Sequence, residues 1–387
     1  MSSLAQLKNA RRAVMTSFII LGYPMGTWIA RIPDLKRAIH LTDGQLGTSL
    51  FFVAIGVVGT LRPAGWLCAK LGSSRLLKTA TIAMLVSVPL IALPKTEHQL
   101  WFALFIYGVT QATMDVAMNT HASTLEQQVG GRIMSTMHAM FSVGMLSGAA
   151  LGGLSAQLKA PLLGTLIVTA LVALAASFYA RSRFLPADLD IHVVEHHKRQ
   201  KFPKLLIAMG ILGMAGSICE GASADWGTVL ARDAFHASPF IATLPYIIFS
   251  IAMIFGRLTG DKLAERFGAA NLITFSGLIA AFGLTAGLLI GHIYGAILGW
   301  LCIGAGVSTV IPLLFSAAGT LAHNKYAGAI SPSGAIALVS GISYFGFVIG
   351  APIIGHVADA VSLRWAMLIP AGLALLLSIG ARQVLSE

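Results

Sequence analysis

From end to end, long apolar runs alternate with short polar connections. A helix that crosses lipid needs about 20 mainly apolar residues for a hydrocarbon core about 30 Å thick. Twelve stretches meet that pattern, near 13–32, 46–69, 76–94, 100–123, 134–157, 161–180, 205–228, 239–260, 270–290, 294–321, 333–358 and 364–381. The first follows Lys8, Arg11 and Arg12, as the core of a secretory signal would. It is too long for such a core and further spans follow, so it reads as an uncleaved first helix. The pattern predicts an all-α integral membrane protein.

An even number of spans puts both ends on one side, and the basic residues choose which. With the N-terminus inside, the inner connections carry Lys8, Arg11, Arg12, Lys70, Arg75, Lys78, Arg132, Arg181, Arg183, Lys198, Arg199, Lys201, Lys204, Lys262, Arg266, Lys325 and Arg382. The outer side then holds Arg31, Lys36, Arg37, Lys95, Lys159, Arg232 and Arg364, with Arg62 and Arg257 near the inner ends of their helices. The excess predicts cytoplasmic termini in a multi-pass membrane protein.

Composition agrees with lipid as the solvent. Hydrophobic residues make up 56% of the 387, and only 11% are charged, against about 25% in soluble domains. The net charge of +11 forms no single patch, which argues against nucleic acid and for topology and anionic lipid. Cys68, Cys219 and Cys302 lie in or beside apolar runs with no paired spacing, as packing residues do.

The longest connection, 181–204, divides the spans six and six, giving an N-terminal half (1–180) and a C-terminal half (205–387). His192, His196 and His197 in it invite a metal, but a solvated basic linker accounts for them more simply. The halves repeat one another. GWLCAKLG (Gly65 to Gly72) follows the second span and DKLAERFG (Asp261 to Gly268) the eighth, while GMLSGAALGG (Gly144 to Gly153) in the fifth span parallels GFVIGAPIIG (Gly346 to Gly355) in the eleventh. Glycines four apart, as at Gly22 and Gly26 or Gly144, Gly148 and Gly152, let helix backbones approach closely in lipid.

Twelve spans in two pseudo-symmetric six-helix halves, with G-x-L-x-x-x-x-G after the second span, resemble the major facilitator superfamily. The loop motif places Gly65, Gly72, Asp261, Glu265, Arg266 and Gly268; where the family usually carries an acid, the first half has Ala69 and the second Glu265. The fifth span is similar to a glycine-rich antiporter motif, with Ala149 in place of its proline. WIARIPDLK (Trp28 to Lys36), DVAMNTHASTLE (Asp115 to Glu126), MHAMFSVG (Met137 to Gly144) and EGASADW (Glu220 to Trp226) resemble the YbjJ-type branch, near the fucose permeases and a rhizopine transporter. That resemblance implies proton-linked movement of a small polar solute of the sugar or cyclitol kind.

Ionisable residues inside spans are costly and face a cavity or a partner. Gln111, Asp115 and Asn119 fall at i, i+4 and i+8 on one face of the fourth span. Asp115 is about 22 Å from its outer start, at a depth similar to that of His138 in the fifth. Either a protonation and solute site or a hydrogen-bonded bracket between helices explains them. Tyr23, Thr27 and Arg31 form a comparable stripe on the first span, where Tyr23 and Thr27 suit a hydroxylated solute and Arg31 either snorkels or gates. Glu220 lies about 22 Å along the seventh span and Asp225 about 30 Å. Asp225 is expected at the outer interface beside an interfacial Trp226, and in the family's arrangement an Arg31–Asp225 pair would close the outside. Glu220 stays in the hydrocarbon with no other charged neighbour on its own helix, which makes it the first candidate for proton coupling, with Asp115. Ser308, Thr309 and Pro312 break the tenth span, and Tyr344 shares a face of the eleventh with Ser340 as a lining group.

No nucleotide loop, zinc spacing or nucleophile–base motif is present. The expectation is a monomeric, cofactor-free secondary transporter, driven by an ion gradient and using protons and a small solute. Efflux of amphipathic compounds and a non-transporting membrane sensor remain the alternatives.

Overall fold

A computed structural model describes residues 4–130, 133–190, 203–326, 330 and 332–385. Every regular element among them is helical. The N-terminal set is α1 (Leu4–Ala30), α2 (Ile32–Ala38), α3 (Asp43–Leu71), α4 (Ser73–Leu90), α5 (Glu97–Val129), α6 (Met134–Gln157) and α7 (Leu162–Arg181). The C-terminal set is α8 (Lys204–Asp233), α9 (Leu244–Phe267), α10 (Ala269–Ile290), α11 (Ile293–Val307), α12 (Val310–Lys325), α13 (Pro332–Val361), α14 (Leu363–Ala366) and α15 (Leu368–Leu385). Among the described residues, 11 helical stretches are long and apolar enough to cross a membrane, with α11 and α12 forming one of them. The twelfth crossing, α4, is less apolar because Ser73, Ser74, Arg75 and Lys78 fill its first turns. Large apolar side chains such as Phe102, Phe255 and Phe282 point outward, as lipid requires.

The chain groups into two compact units, Met1–Leu41 with Ser49–His196, and Thr42–Thr48 with His197–Glu387. In the first, α1 packs on α5, α6 and α7, and α4 on α5 and α7. In the second, α8 packs on α9, α11, α13 and α15, while α10 joins α11 to α15.

The glycines do what their spacing predicts. On α6, a Cβ at Gly144 would lie 2.5 Å from the Ile19 carbonyl, and one at Gly152 2.5 Å from that of Thr27. Gly22 and Gly26 of α1 leave equally little room for α6. Bare backbones in contact supply the packing that lipid cannot drive by hydrophobicity.

The repeat is visible in the backbone. Gly72 (φ 80°, ψ 143°) ends α3 and starts α4; Gly268 (φ 79°, ψ 144°) does the same for α9 and α10. Each donates its N–H at 2.9 Å to the carbonyl four residues earlier, from Gly72 to Cys68 and from Gly268 to Ala264. Positive φ is nearly free for glycine, which explains why the last position of both motifs is Gly.

Candidate functional site

In the second unit, α8 runs from Lys204 to Asp233, about 45 Å of helix. Glu220 therefore sits near its middle. Arg257, ten residues before the C-terminal end of α9 at Phe267, meets it: Nη2 donates at 3.3 Å to both carboxylate oxygens. The sequence reading left Glu220 with no charged neighbour beyond Asp225 on its own helix; the neighbour comes from the next helix. The two side chains keep 28% and 45% of their surface exposed. Charged groups inside spanning helices turn toward a cavity or a partner and not toward lipid.

Around this pair stand aromatic and polar groups of the same unit. Tyr246, one helical face up α9, is buried, stacks on Phe249 and lies within electrostatic range of Glu220 and Asp225. Tyr344 on α13 is 51% exposed and touches Phe315 and Phe347. A Cβ at Gly221 would be 3.2 Å from Phe347, so this ring covers the turn that carries Glu220. The break predicted in the tenth span is present: α11 ends at Val307 and α12 begins at Val310. Gly256 and Gly260, flanking Arg257, accept Ser308 and Thr309 against bare backbone.

Asp225 and Trp226 differ from expectation. Helix α8 continues eight residues past Asp225, about 12 Å, so Asp225 is a half-buried position within the helix and not its interfacial end. Trp226 is fully buried, with the ring tip 3.1 Å from a Cβ built at Gly355 of α13. It is a core residue, not an interfacial aromatic. The helix outruns the apolar pattern, because the residues from Gly227 to Ala231 are still buried against protein.

In the first unit the α1 stripe also departs from its predicted role. Thr27 is fully buried and its hydroxyl donates to the Tyr23 carbonyl at 2.9 Å. Tyr23 reaches toward Thr169 of α7. Arg31, 4% exposed, donates from Nε to Asp34 at 2.5 Å, from Nη1 to Ser155 and Thr165, and from Nη2 to the Ala160 carbonyl at 2.8 Å. Thr27 and Arg31 are thus buried in a seam against α6 and α7, where the α6 glycines open a groove for α1, while Tyr23 stays part-buried. Arg31 is buried, and its donors tie the α1–α2 corner to the α6–α7 connection.

The α5 stripe is more open. The Asn119 amide donates at 2.9 Å to the Asp115 carboxylate and to its carbonyl. One turn away the Gln111 amide has the Met25 sulfur at 3.7 Å, and all three residues are part-buried. The exposed His138 ring meets Phe18 edge-on at 5.3 Å. In the loop motifs Gly65, Glu265 and Arg266 are exposed, and Arg266 lies over the Phe267 ring; only the backbone of Asp261 is described. Cys219 donates to the Pro370 carbonyl at 3.2 Å, a packing role. His192, His196 and His197 lie outside the described residues, among which no metal-binding cluster occurs.

Sequence reasoning missed Arg257, Tyr246 and Phe347. For Arg257 a signal existed: extending α9 through DKLAERF to its capping Gly268 moves Arg257 from the inner rim toward the middle.

Residues 13–331 match the family model of the Major Facilitator Superfamily. The chain is 31% identical over 366 residues to the uncharacterized transporter y4wD of Sinorhizobium fredii, covering 93% of this chain and 94% of that protein. It is 29% identical over 362 residues to the membrane protein MosC of Rhizobium meliloti, covering 92% and 85% respectively. Among solved structures, that of the nucleoside transporter NupG superposes with a TM-score of 0.76 at 14% identity, covering 99% of this chain and 100% of that one. This chain is a multi-pass membrane transporter and not an enzyme: it belongs to the major facilitator superfamily.

Proposed function

We propose that the protein is a secondary active transporter that moves a small polar, sugar- or cyclitol-like solute by alternating access of two six-helix halves (1–180 and 205–387, joined by 181–204), coupled to protons through Glu220 and Asp115. The carrying observation is the part-exposed Glu220–Arg257 pair within the spans. Its donors and acceptors match vicinal hydroxyls, and the Phe315, Tyr344 and Phe347 rings, set edge-on and tilted to one another, form an aromatic wall that offers apolar surface to a solute. A solute that inserts its hydroxyls loosens the pair, and a proton on Glu220 does the same from the other partner. That shared element links solute to proton. Gln111 and the Asp115–Asn119 bracket supply a second set of polar groups on α5. We place the monomeric protein in a bacterial inner membrane with both termini cytoplasmic.

The same aromatic wall favours one other reading, efflux of amphipathic compounds. Purified protein is screened by thermal shift against sugars, cyclitols, amines and drugs, and any hit is followed by proton-flux assay in liposomes. A polar hit that drives proton movement supports the proposal. Stabilisation by amphipathic compounds alone, or a Glu220→Gln protein that still accumulates the polar hit against its gradient, overturns it.

A further inference from the structure

Gly72 and Gly268 share one backbone conformation, but not their surroundings. Gly268 is exposed, and a Cβ built on it meets nothing within 4 Å. Gly72 is buried, and a Cβ there would press into the Ala187 carbonyl and lie 2.7 Å from the Ala187 methyl group. Ala187 opens a short 3-10 turn, Ala187–Asp190, at the start of the long connection, and that turn packs on α4 and α5. The first loop motif therefore has chain lying across it where the second is open.

His121 of α5 fixes the approach to this seat. Its ring is 1% exposed, with Nε2 accepting the Leu185 N–H at 3.2 Å and Nδ1 2.7 Å from the hydroxyl of Ser73, the first residue of α4. Phe184 meets the ring edge-on at 5.1 Å, and Leu185 is buried. One residue earlier, Arg183 donates to the Tyr179 carbonyl at 2.6 Å and lies 4.0 Å over the Tyr179 ring, so the chain is guided from the end of α7 into the seat. On α5 the ring stands away from the Asp115–Asn119 face, since two residues past Asn119 the helix has turned about 200°. The stretch DVAMNTHASTLE thus carries two sets of groups on two faces.

Helix α4 needs such a partner. Its first turn buries Ser73 and Ser74 and leaves Arg75 exposed, and lipid offers hydroxyls no hydrogen bonds. Protein groups must hold that end in place.

We propose that residues 184–190 form a strap docked on the first unit, with Gly72 as its seat and His121 as its positioning residue, and that the docked strap holds the α3–α4 joint against α5. The connection 181–204 is then no uniform spacer: its first stretch is a fixed part of the N-terminal half and delivers any pull on the linker to α4 and α5. This rests on reading 181–204 as the joint between two halves, and on no particular solute or coupling ion.

Hydrogen exchange of the full-length protein without solute, read by mass spectrometry on peptides covering 184–190 and the start of α4, tests it. Slow exchange is expected at Leu185 in the wild type. His121→Phe keeps a ring against Phe184 but removes both nitrogens, and should speed that exchange about tenfold and loosen the first turn of α4 with it. His121→Gln places an amide oxygen where Nε2 accepts, and should restore much of the protection. Gly72→Ala and Gly268→Ala carry the same strain of positive φ, so their difference isolates the seat: only Gly72→Ala should speed exchange at 184–190. A wild-type segment that exchanges like an unstructured peptide overturns the strap, whether or not any variant folds. Unchanged exchange in His121→Phe, exchange in His121→Gln as fast as in His121→Phe, equal effects of the two glycine substitutions, or a released strap with α4 still protected each overturns it as well. None of these measurements involves solute, so their failure leaves the transport reading standing, and a failed search for solute leaves the strap.

Discussion

Arg257 holds Glu220 from the adjacent helix through a single guanidinium nitrogen 3.3 Å from each carboxylate oxygen. The contact is symmetric and long, the geometry of a pair that can be parted. Neutralising one partner strands the other charge among spanning helices, so Arg257→Gln and Glu220→Gln should each lower stability by about 1–2 kcal/mol. The double substitution should cost less than the sum, as a thermal-unfolding cycle measures. Strict additivity would show that the two groups do not interact.

Arg31 is a structural tie in the first unit. Removing it leaves Asp34, Ser155, Thr165 and the Ala160 carbonyl short of their donor. Arg31→Ala should therefore destabilise by about 3–5 kcal/mol, with Arg31→Lys only partly restoring it because an ammonium cannot reproduce the fork. Unchanged melting with abolished transport would instead favour the outer gate with Asp225, which the charge swap of Arg31 and Asp225 then tests by rescue.

The α1–α6 seam leaves no space for a methyl group. Gly26→Ala would press on Ala149 N, 2.9 Å away, and on the Met145 carbonyl, and should cost about 1–3 kcal/mol. At Gly59, where nothing lies within 4 Å, the same change should leave the melting temperature unchanged or slightly higher. Equal tolerance at both sites would mean that the helices are not in backbone contact.

Thr309 buries a hydroxyl that has no hydrogen-bond partner among the described residues. Thr309→Val keeps the shape and removes the polar atom, so stability should stay level or rise by about 1 kcal/mol. A clear drop in melting temperature would reveal a partner for the hydroxyl. Loss of solute response at constant stability would assign the hydroxyl to the solute.

Hydrophobic run length was enough to place the spans, and glycine spacing enough to place the seam, because both follow from lipid having no hydrogen-bonding groups of its own. The break at Ser308 and Thr309 was equally readable. Facing was not. Periodicity shows that Tyr23, Thr27 and Arg31 share a side of α1, but only the groove opened by Gly144, Gly148 and Gly152 decides that this side meets α6 and α7. Arg257 was missed for a related reason: trimming a helix to its apolar length moves a mid-span cation to the rim. Trp226 was misplaced by the same trimming, applied to the outer end of α8.

The interruption between Val307 and Val310 carries a further consequence. Where a helix stops inside a bundle, its last carbonyls and the first N–H groups of the next lose their regular partners. Here Ser308 and Thr309 are buried, with their side chains against the bare backbone of Gly256 and Gly260, on either side of Arg257. Side chains at this place can be exchanged by a single codon change; the peptide groups cannot. The surrounding side chains can therefore change while the backbone crossing beside Arg257 keeps its place.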